Sequence, residues 1–214
     1  LDDYYLTKKQ RVSLSKKIHP LLITRGVPGT HDIKKLLKHV RCFERSIYPI
    51  NIPIFDKLND DRLTKVKKIK TKADILILEG WCCASPAVPN SFLKKNINQI
   101  EKIFDRDLRW RNYYNHQLQN QYARLFKKFE KVIYLKVPSF SYIQNWRLKQ
   151  EKMMKTRNNH IEAMDSKQIL EFIQHYEKIT KWMMKVLPSK ANLTINVDKN
   201  QKIKKILFKK ITTD

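Results

Sequence analysis

The sequence predicts an α/β fold in which a mostly parallel sheet is flanked by helices. Two continuous apolar runs, at residues 74–80 and 132–137, are typical of strands that are buried on both faces. Long helical stretches follow them, and strands that alternate with helices indicate a layered α/β domain. The 214 residues, 42% of them hydrophobic, are enough for one domain with a sizeable core.

The chain begins with a predicted strand end, a helix and a loop. We expect a strand to end at Asp2 and Asp3, and a helix to follow over residues 7–17. Residues 24–29 contain two of the three glycines and a proline, which is typical of a loop.

Thr30 is a suitable N-cap for the helix that follows this loop, with Asp32 near its positive end. Residues 49–61 are predicted to be irregular and charged. Further helices are predicted over residues 91–129, 138–154 and 165–186, and a strand–turn–strand over residues 193–197 and 202–208.

The charge is strongly positive, since 45 lysines and arginines face 20 acidic residues and give a net charge of +25. Binding to nucleic acid is one interpretation of such a balance. The lysines are spread over the whole chain, however, whereas a dedicated binding face usually clusters arginine with exposed aromatic residues. Compositional drift and solvated faces therefore explain the charge more simply.

The three cysteines form neither a disulfide framework nor a metal-binding spacing, because two of them are adjacent. Reduced thiols in the cytoplasm are the expected state. No apolar run approaches the roughly 20 residues that a membrane span needs, so a membrane partner is not expected. The first residue is not methionine, and no signal-peptide pattern follows it, so we expect the sequence to be the interior of a longer gene.

Three acidic residues follow predicted strands: Asp2, Asp3 and Glu79. Ligands of open α/β sheets bind beyond the carboxyl ends of the strands. A carboxylate there can hold Mg²⁺ or accept a proton from a hydroxyl nucleophile. The alternative is that these acids cap helices or lie in solvent.

Two polar segments are further candidates for a site. Residues 25–32 place Arg25 and His31 beside two glycines and a predicted helix N-terminus, where a backbone can approach a ligand. Residues 55–62 alternate acidic and basic side chains, and a surface ion-pair network is the alternative interpretation there.

Five motifs carry a resemblance to the D-glycerate kinase family of P-loop kinases. They are LDDYYLT at residues 1–7, RGVPGTHD at 25–32, PIFDKLNDDR at 53–62, ILEGWC at 77–82 and WRLKQE at 146–151. They resemble the family patterns DDFYLT, RGxPGTHD, PxFDKxxxDR, ILEGW and WRLxQE. The motifs occur in family order and cover nearly the whole chain, so the chain is identified as similar to this family.

The resemblance implies a P-loop NTPase-like parallel sheet flanked by helices, and transfer of the ATP γ-phosphate to D-glycerate or a similar small hydroxy acid. It implies ATP and Mg²⁺ as cofactors. Asp3, with Asp2 as a second candidate, would be the base or orienting carboxylate, and Glu79 with Asp3 would hold Mg²⁺. Arg147 would lie on a lid-side helix over the nucleotide phosphates. The acceptor would be bound by Arg25, His31, Asp32, Lys57 and Arg62.

The chain departs from the family at the phosphate-binding loop. Its only glycines, Gly26, Gly29 and Gly80, do not fit the spacing G-x-x-x-x-G-K followed by Ser or Thr. The expectation is therefore a single P-loop kinase-like domain, residues 1–214, that lacks its first strand, Walker A loop and first helix. A catalytically inactive remnant, a basic nucleic-acid-binding module and a kinase with another acceptor stay open as alternatives.

Overall fold

The computed structural model describes residues 1–157 and 164–209. The chain forms two compact units. The first consists of Leu1–Lys95 and Phe104–Lys128, and the second of Asn96–Ile103 and Phe129–Asp214. The prediction of a single domain stays a prediction.

The first unit begins with a short 3-10 turn, Asp2–Tyr4, in place of the predicted strand end. Helix α1, Lys8–Lys17, follows and confirms the helix predicted over residues 7–17. Thr7 begins it with a capping box, in which the Thr7 side chain and Gln10 each bond the other's backbone N–H. This local signal explains why the start of α1 was readable from the sequence.

Helix α2, Ile33–Glu44, is capped by Asp32 and not by Thr30, so that prediction was wrong. The Asp32 carboxylate accepts a hydrogen bond from the Lys35 amide at 3.1 Å. The Thr30 hydroxyl is buried in the preceding loop, where it donates to the Val27 carbonyl and accepts from the Gly26 amide. Both hydroxyl functions are used inside the loop, and Thr30 therefore fixes the loop that precedes α2.

Strands β1, Ile50–Asp56, and β2, Asp61–Ile69, form an antiparallel hairpin where an irregular segment was predicted over residues 49–61. The hairpin was missed because its two strands lack a simple alternating pattern. Pro53 interrupts β1 and a register shift follows it, while residues 63–68 of β2 are exposed without alternation.

Residues 74–80 are not a strand, and the prediction of a buried strand there was wrong. Ile75 is 77% exposed and Ile77 is 83% exposed. A parallel strand buried on both faces needs hydrogen-bonded neighbours and covering helices. None of the strands in the described part of the chain pairs with this segment, so its apolar side chains stay uncovered.

The helical stretch predicted over residues 91–129 is divided into short pieces. In the first unit these are α3, Asn90–Lys94, α5, Arg109–Gln117, and α6, Ala123–Phe126. A π-helical segment, Leu118–Tyr122, joins α5 to α6 without a break. Helix α4, Gln99–Ile103, belongs to the second unit.

The sheet of the second unit confirms three predicted strands. Strand β3, Ile133–Lys136, pairs in parallel with β4, Leu193–Val197, and β4 pairs antiparallel with β5, Ile203–Phe208. One of the two pairings is therefore parallel. Both Ile133 and Leu135 are exposed, so β3 is not buried on both faces as its sequence predicted.

Two long helices pack in the second unit, α7, Ser141–Arg157, and α8, Ser166–Lys190. Asp165 caps α8 with a second capping box. The buried side chains of α8 include Ile179, Met183 and Leu187, whose spacing of four residues, about one helical turn, marks its apolar face. Both helices confirm the sequence prediction, and the α/β class is confirmed with them.

None of the helices in the described ranges combines the length and the apolar character that a membrane crossing requires. The three cysteines are free thiols, and two of them, Cys42 and Cys83, are half-buried.

An ion pair between Asp105 and Arg111 lies fully inside the first unit. The two side chains are 0% exposed, and the Arg111 Nε lies 2.6 Å from the Asp105 carboxylate. The same carboxylate accepts from the Trp110 and Arg111 amides, so it also begins α5. Loss of one partner from a buried ion pair is strongly destabilising, because the other charge loses its closest counter-charge in a site that water does not reach.

We therefore expect Asp105→Ala to lower the free energy of unfolding by about 3–5 kcal/mol. The matched control is Asp107→Ala, because Asp107 is 57% exposed and its contact with Arg109 is 3.9 Å long. This control should change the free energy of unfolding by less than about 1 kcal/mol. Urea unfolding followed by circular dichroism measures both, and equal losses would contradict the structural role of Asp105.

Candidate active site

The start of the chain lies against the segment that contains Glu79. The Leu1 nitrogen donates to the Glu79 carbonyl at 2.6 Å. A Cβ added to Gly80 would lie 2.5 Å from the Leu1 Cβ, so only glycine permits this approach. The two segments that carry Asp2, Asp3 and Glu79 are therefore adjacent, as their proposed common role requires.

The two aspartates of the 3-10 turn have different surroundings. Burial acts to raise the pKa of Asp2, but the hydrogen bond and the charge of Lys57 outweigh it, and the pKa lies below its usual value. The Lys57 Nζ lies 2.8 Å from the Asp2 carboxylate. The exposed Asp3 accepts a hydrogen bond from the Phe55 amide through Oδ1. Its other carboxylate oxygen makes no hydrogen bond with the residues that the structure describes.

The half-buried Cys83 thiol lies near the start of the chain, three residues after Gly80. Burial, together with the carboxylates of Glu79 and Asp2, raises the pKa of the Cys83 thiol to about 11. The thiol is therefore protonated near neutral pH and is a poor nucleophile.

Asp60 forms ion pairs with two arginines near the 3-10 turn. Its carboxylate forms ion pairs with Arg25 and with the buried Arg11, the second at 2.8 Å. The Arg25 guanidinium also lies over the ring of Phe55, 5.5 Å from its centre. The ion-pair network considered for residues 55–62 therefore exists, and Asp60 was not selected as a site residue from the sequence.

The guanidinium of Arg62 is bound by two backbone carbonyls and one carboxylate of the protein. It donates to the carbonyl of Tyr5 at 2.6 Å and of Tyr4 at 3.4 Å, and it lies 3.3 Å from the Asp32 carboxylate. Its side chain is 11% exposed. Asp32 in turn caps α2, so both residues connect β2, the 3-10 turn and α2 in the structure.

His31 is buried and fixed on two sides. Its ring stacks on that of Tyr5 with the ring centres 4.5 Å apart. Its Nδ1 lies 2.6 Å from the hydroxyl oxygen of Tyr122, and this oxygen accepts a hydrogen bond from the Gly29 amide at 3.0 Å. Burial lowers the pKa of His31 to about 3, although the charge of Asp2 acts to raise it.

These contacts assign the tautomer of His31. The Tyr122 oxygen already accepts from Gly29, and burial raises the pKa of Tyr122 well above its usual value, so the hydroxyl keeps its proton. A buried hydroxyl without an acceptor would be costly, and its proton therefore points to the His31 Nδ1. The neutral ring then carries its own proton on Nε2. His31 can donate a hydrogen bond to a ligand but is a poor general base.

Tyr122 was missed by the sequence interpretation. It belongs to the π-helical segment Leu118–Tyr122, far along the chain from His31, and no local motif marks it. Only the three-dimensional structure brings its hydroxyl to the loop that contains Gly29 and His31.

Arg147 belongs to the second unit. It lies 2.5 Å from Glu151, one helical turn further along α7, and its guanidinium lies over the ring of Phe172. Its role toward nucleotide phosphates stays a prediction.

A second group of possible metal ligands is occupied by protein contacts. His19, Asp105 and Asp107 place ligand atoms within 4.8 Å of one another. The His19 Nδ1 accepts from the Leu21 amide, and its Nε2 faces the Phe104 carbonyl at 2.9 Å, so Nε2 carries a proton. Asp105 is neutralised by Arg111. This group is a structural polar cluster.

Comparison with known proteins gives the family context. No family model matches the sequence. An uncharacterized kinase of Schizosaccharomyces pombe is 28% identical over 210 residues, which are 90% of this chain and 72% of that protein. A probable ATP-dependent kinase of Saccharomyces cerevisiae is 28% identical over 227 residues, 95% of this chain and 73% of that protein.

The solved structure of D-glycerate 3-kinase from Cryptococcus neoformans var. grubii has the same fold, with a TM-score of 0.77 and 26% identity. The match covers 98% of this chain and 78% of that chain. The resemblance to the D-glycerate kinases is confirmed. The fold class predicted with it, a P-loop kinase-like α/β fold, is confirmed as well.

The acidic residues have the chemistry that binds one of the cofactors that the D-glycerate kinase resemblance implies. Among the described residues, however, the ligand atoms of Asp2, Asp3 and Glu79 are not all within 4.8 Å of one another. The exposed carboxylates of Asp3 and Glu79 lie on adjacent segments, and carboxylate oxygens are the ligands that Mg²⁺ prefers. The residues do not fit the phosphates of ATP in the same way, because the sequence contains no Walker A motif.

The lowered pKa of His31 gives a pH-dependent stability. Below a pH of about 6.5 the unfolded chain binds a proton at this histidine, whereas the folded chain does so only near pH 3. Stability is therefore present above pH 6.5 and is lost as the pH falls. Between pH 7 and pH 5 we expect the titration of His31 to lower the free energy of unfolding by about 2 kcal/mol.

The measurement is urea unfolding of the wild type and of His31→Gln at both pH values. The wild type should lose about 2 kcal/mol more than the variant, because all other titrating groups are common to both. Equal losses would show that His31 titrates normally in the folded chain.

Tyr122→Phe tests the tautomer assignment. Nitrogen-15 spectra of the wild-type His31 ring should show the proton on Nε2 and a free Nδ1 that accepts a hydrogen bond. In the variant the acceptor state of Nδ1 should be lost, and the free energy of unfolding should fall by about 1–3 kcal/mol because the Gly29 amide loses its partner. Tyr113→Phe is the control, since Tyr113 contacts Gly29 only through its ring. A wild-type proton on Nδ1 would contradict the assignment.

Proposed function

We propose that the chain belongs to an ATP-dependent kinase that phosphorylates D-glycerate or a similar small hydroxy acid. The observation that supports this most is the grouping of free and neutralised charges around the 3-10 turn. One oxygen of the Asp3 carboxylate has no hydrogen-bond partner among the described residues. Lys57, Arg25 and the N–H of His31 lie on the segments that surround the turn. The names of the related kinases agree with this assignment.

The groups have complementary tasks in such a reaction. The free oxygen of Asp3 would orient the acceptor hydroxyl and take its proton as the hydroxyl attacks phosphorus. Lys57 is 60% exposed and can exchange Asp2 for the carboxylate of the acceptor. Arg25 can contribute in the same way, while His31 donates through Nε2. Phosphoryl transfer depends mainly on such positioning and on neutralisation of charge.

Asp3 and Glu79 would hold Mg²⁺, which supplies charge neutralisation for the transferred group when it is bound. ATP would supply the phosphoryl group. The residues that hold its phosphates are not identified among the motifs of this chain.

The test is the D-glycerate-dependent turnover of ATP by the natural protein that contains this chain. Asp3→Asn and Glu79→Gln should each lower the rate by at least about 100-fold, because they remove an acid–base group and a metal ligand. Glu44→Gln is the matched control, since Glu44 pairs with Lys128 on the surface. This control should leave the rate unchanged.

A panel of small hydroxy acids tests the acceptor in the same assay. Turnover that depends on none of them would reject the substrate assignment, and wild-type rates in both site variants would reject the roles of Asp3 and Glu79. Turnover with a nucleoside or a sugar phosphate instead would keep the kinase and change its acceptor.

A further inference from the structure

The hairpin carries a concentrated positive charge along β2 and the residues after it. We call residues 63–72 the basic strip. It contains five lysines and no acidic residue. They are Lys65, Lys67, Lys68, Lys70 and Lys72, and all five are exposed.

These lysines have no counter-charge within the described ranges. Lys57 pairs with Asp2, and Lys128 pairs with Glu44, but no ammonium group of the five lysines of the basic strip forms an ion pair or a hydrogen bond with a described residue. Five like charges within ten residues repel each other and favour an anionic ligand.

The backbone of β2 is the second observation. Among the described strands, β2 pairs with β1 alone, so its other edge presents N–H and C=O groups to solvent. Such an edge is a template for the addition of another strand. Leu63 and Val66 are each 43% exposed and offer apolar contacts along it.

The hairpin is also fixed at its turn end, where β2 begins. The Asp61 carboxylate accepts from the Lys8 amide at 2.8 Å, and Arg62 donates to the Tyr5 carbonyl at 2.6 Å. The edge is therefore preorganised, which lowers the conformational entropy that a ligand must overcome on binding.

We propose that the basic strip binds an extended acidic segment of a partner protein, which adds to β2 as a third strand. Backbone hydrogen bonds to the free edge would supply affinity, and acidic side chains opposite the lysines would supply specificity. This interaction is separate from the proposed kinase reaction.

The same features disfavour two other occupants. A second copy of β2 would bring its own lysines against those of the first, and like charges at paired strand positions are destabilising. Single-stranded nucleic acid is held by stacking on aromatic side chains as well as by charge. Residues 57–72 contain no aromatic residue, and residues 63–72 contain no arginine.

The probe is a fluorescent peptide of alternating Glu and Val that matches the nine residues of β2 in length. Its binding to the whole chain is measured by fluorescence anisotropy at low salt. Lys67→Glu/Lys68→Glu should weaken binding by about tenfold or more, because these two side chains lie on opposite faces of β2 and, whichever face the glutamates occupy, one attractive contact becomes repulsive. The control Lys34→Glu/Lys38→Glu makes the same charge change on exposed positions of α2 and should alter the affinity less than about twofold.

A second lysine variant and a modified peptide separate strand addition from recognition of charge alone. Lys70→Glu/Lys72→Glu lies beyond β2, so it should weaken binding without a change in the strand itself. A peptide of the same charge with alternate N-methylated amides cannot pair along one edge, and it should bind about tenfold more weakly. Circular dichroism shows whether each variant is folded.

Three results would overturn the proposal. Equal binding of the N-methylated peptide would show that charge alone is recognised, without strand addition. Equal loss in the α2 control would show that the net charge of the chain and not the basic strip is responsible. Tighter binding of a uridine oligonucleotide of the same charge would assign the basic strip to nucleic acid.

Discussion

The guanidinium of Arg62 connects three segments that are distant in sequence. Arg62 is the second residue of β2, and its guanidinium donates to the carbonyls of Tyr4 and Tyr5 at the end of the 3-10 turn and reaches the Asp32 carboxylate at the start of α2. The turn that carries the candidate catalytic aspartates therefore has its exit fixed by one side chain. A lysine could not replace it, because one ammonium group cannot reach this set of acceptors in a planar fork.

Within the candidate site, the cations differ in how freely they can meet a ligand. Arg11 is buried and bound to Asp60, while Lys57 is exposed and pairs with Asp2 at the surface. A surface pair gains little energy in water, so Lys57 can leave Asp2 at small cost. Arg62 cannot do so without breaking contacts between elements. The structure thus separates the cations that hold the site together from those that can receive an anionic acceptor.

The sequence predicted those parts of the structure that depend on local signals. Capping boxes begin α1 and α8, and both helices were recognised. It predicted a strand over residues 74–80 that the structure does not contain, because a strand forms only where a neighbouring strand pairs with it. The family motifs selected Asp3, His31 and their neighbours, but no local pattern marks a hydroxyl that arrives from another segment. For this reason the partner of His31 could be found only in three dimensions.

The π-helical segment Leu118–Tyr122 shows that the number of residues between α5 and the Tyr122 hydroxyl matters for the site. A π turn contains more residues than an α turn, and its carbonyls bond five residues ahead instead of four. Deletion of one residue from the α-helical part, α5, would rotate every later residue by about 100° around the helix axis, because an α-helix advances by that angle per residue. The hydroxyl that bonds Gly29 and His31 would then point elsewhere, even though no contacting residue had been replaced. Single-residue deletions in α5 should therefore be as harmful as substitutions within the site itself, whereas the π turn can lose its extra residue with a much smaller rotation.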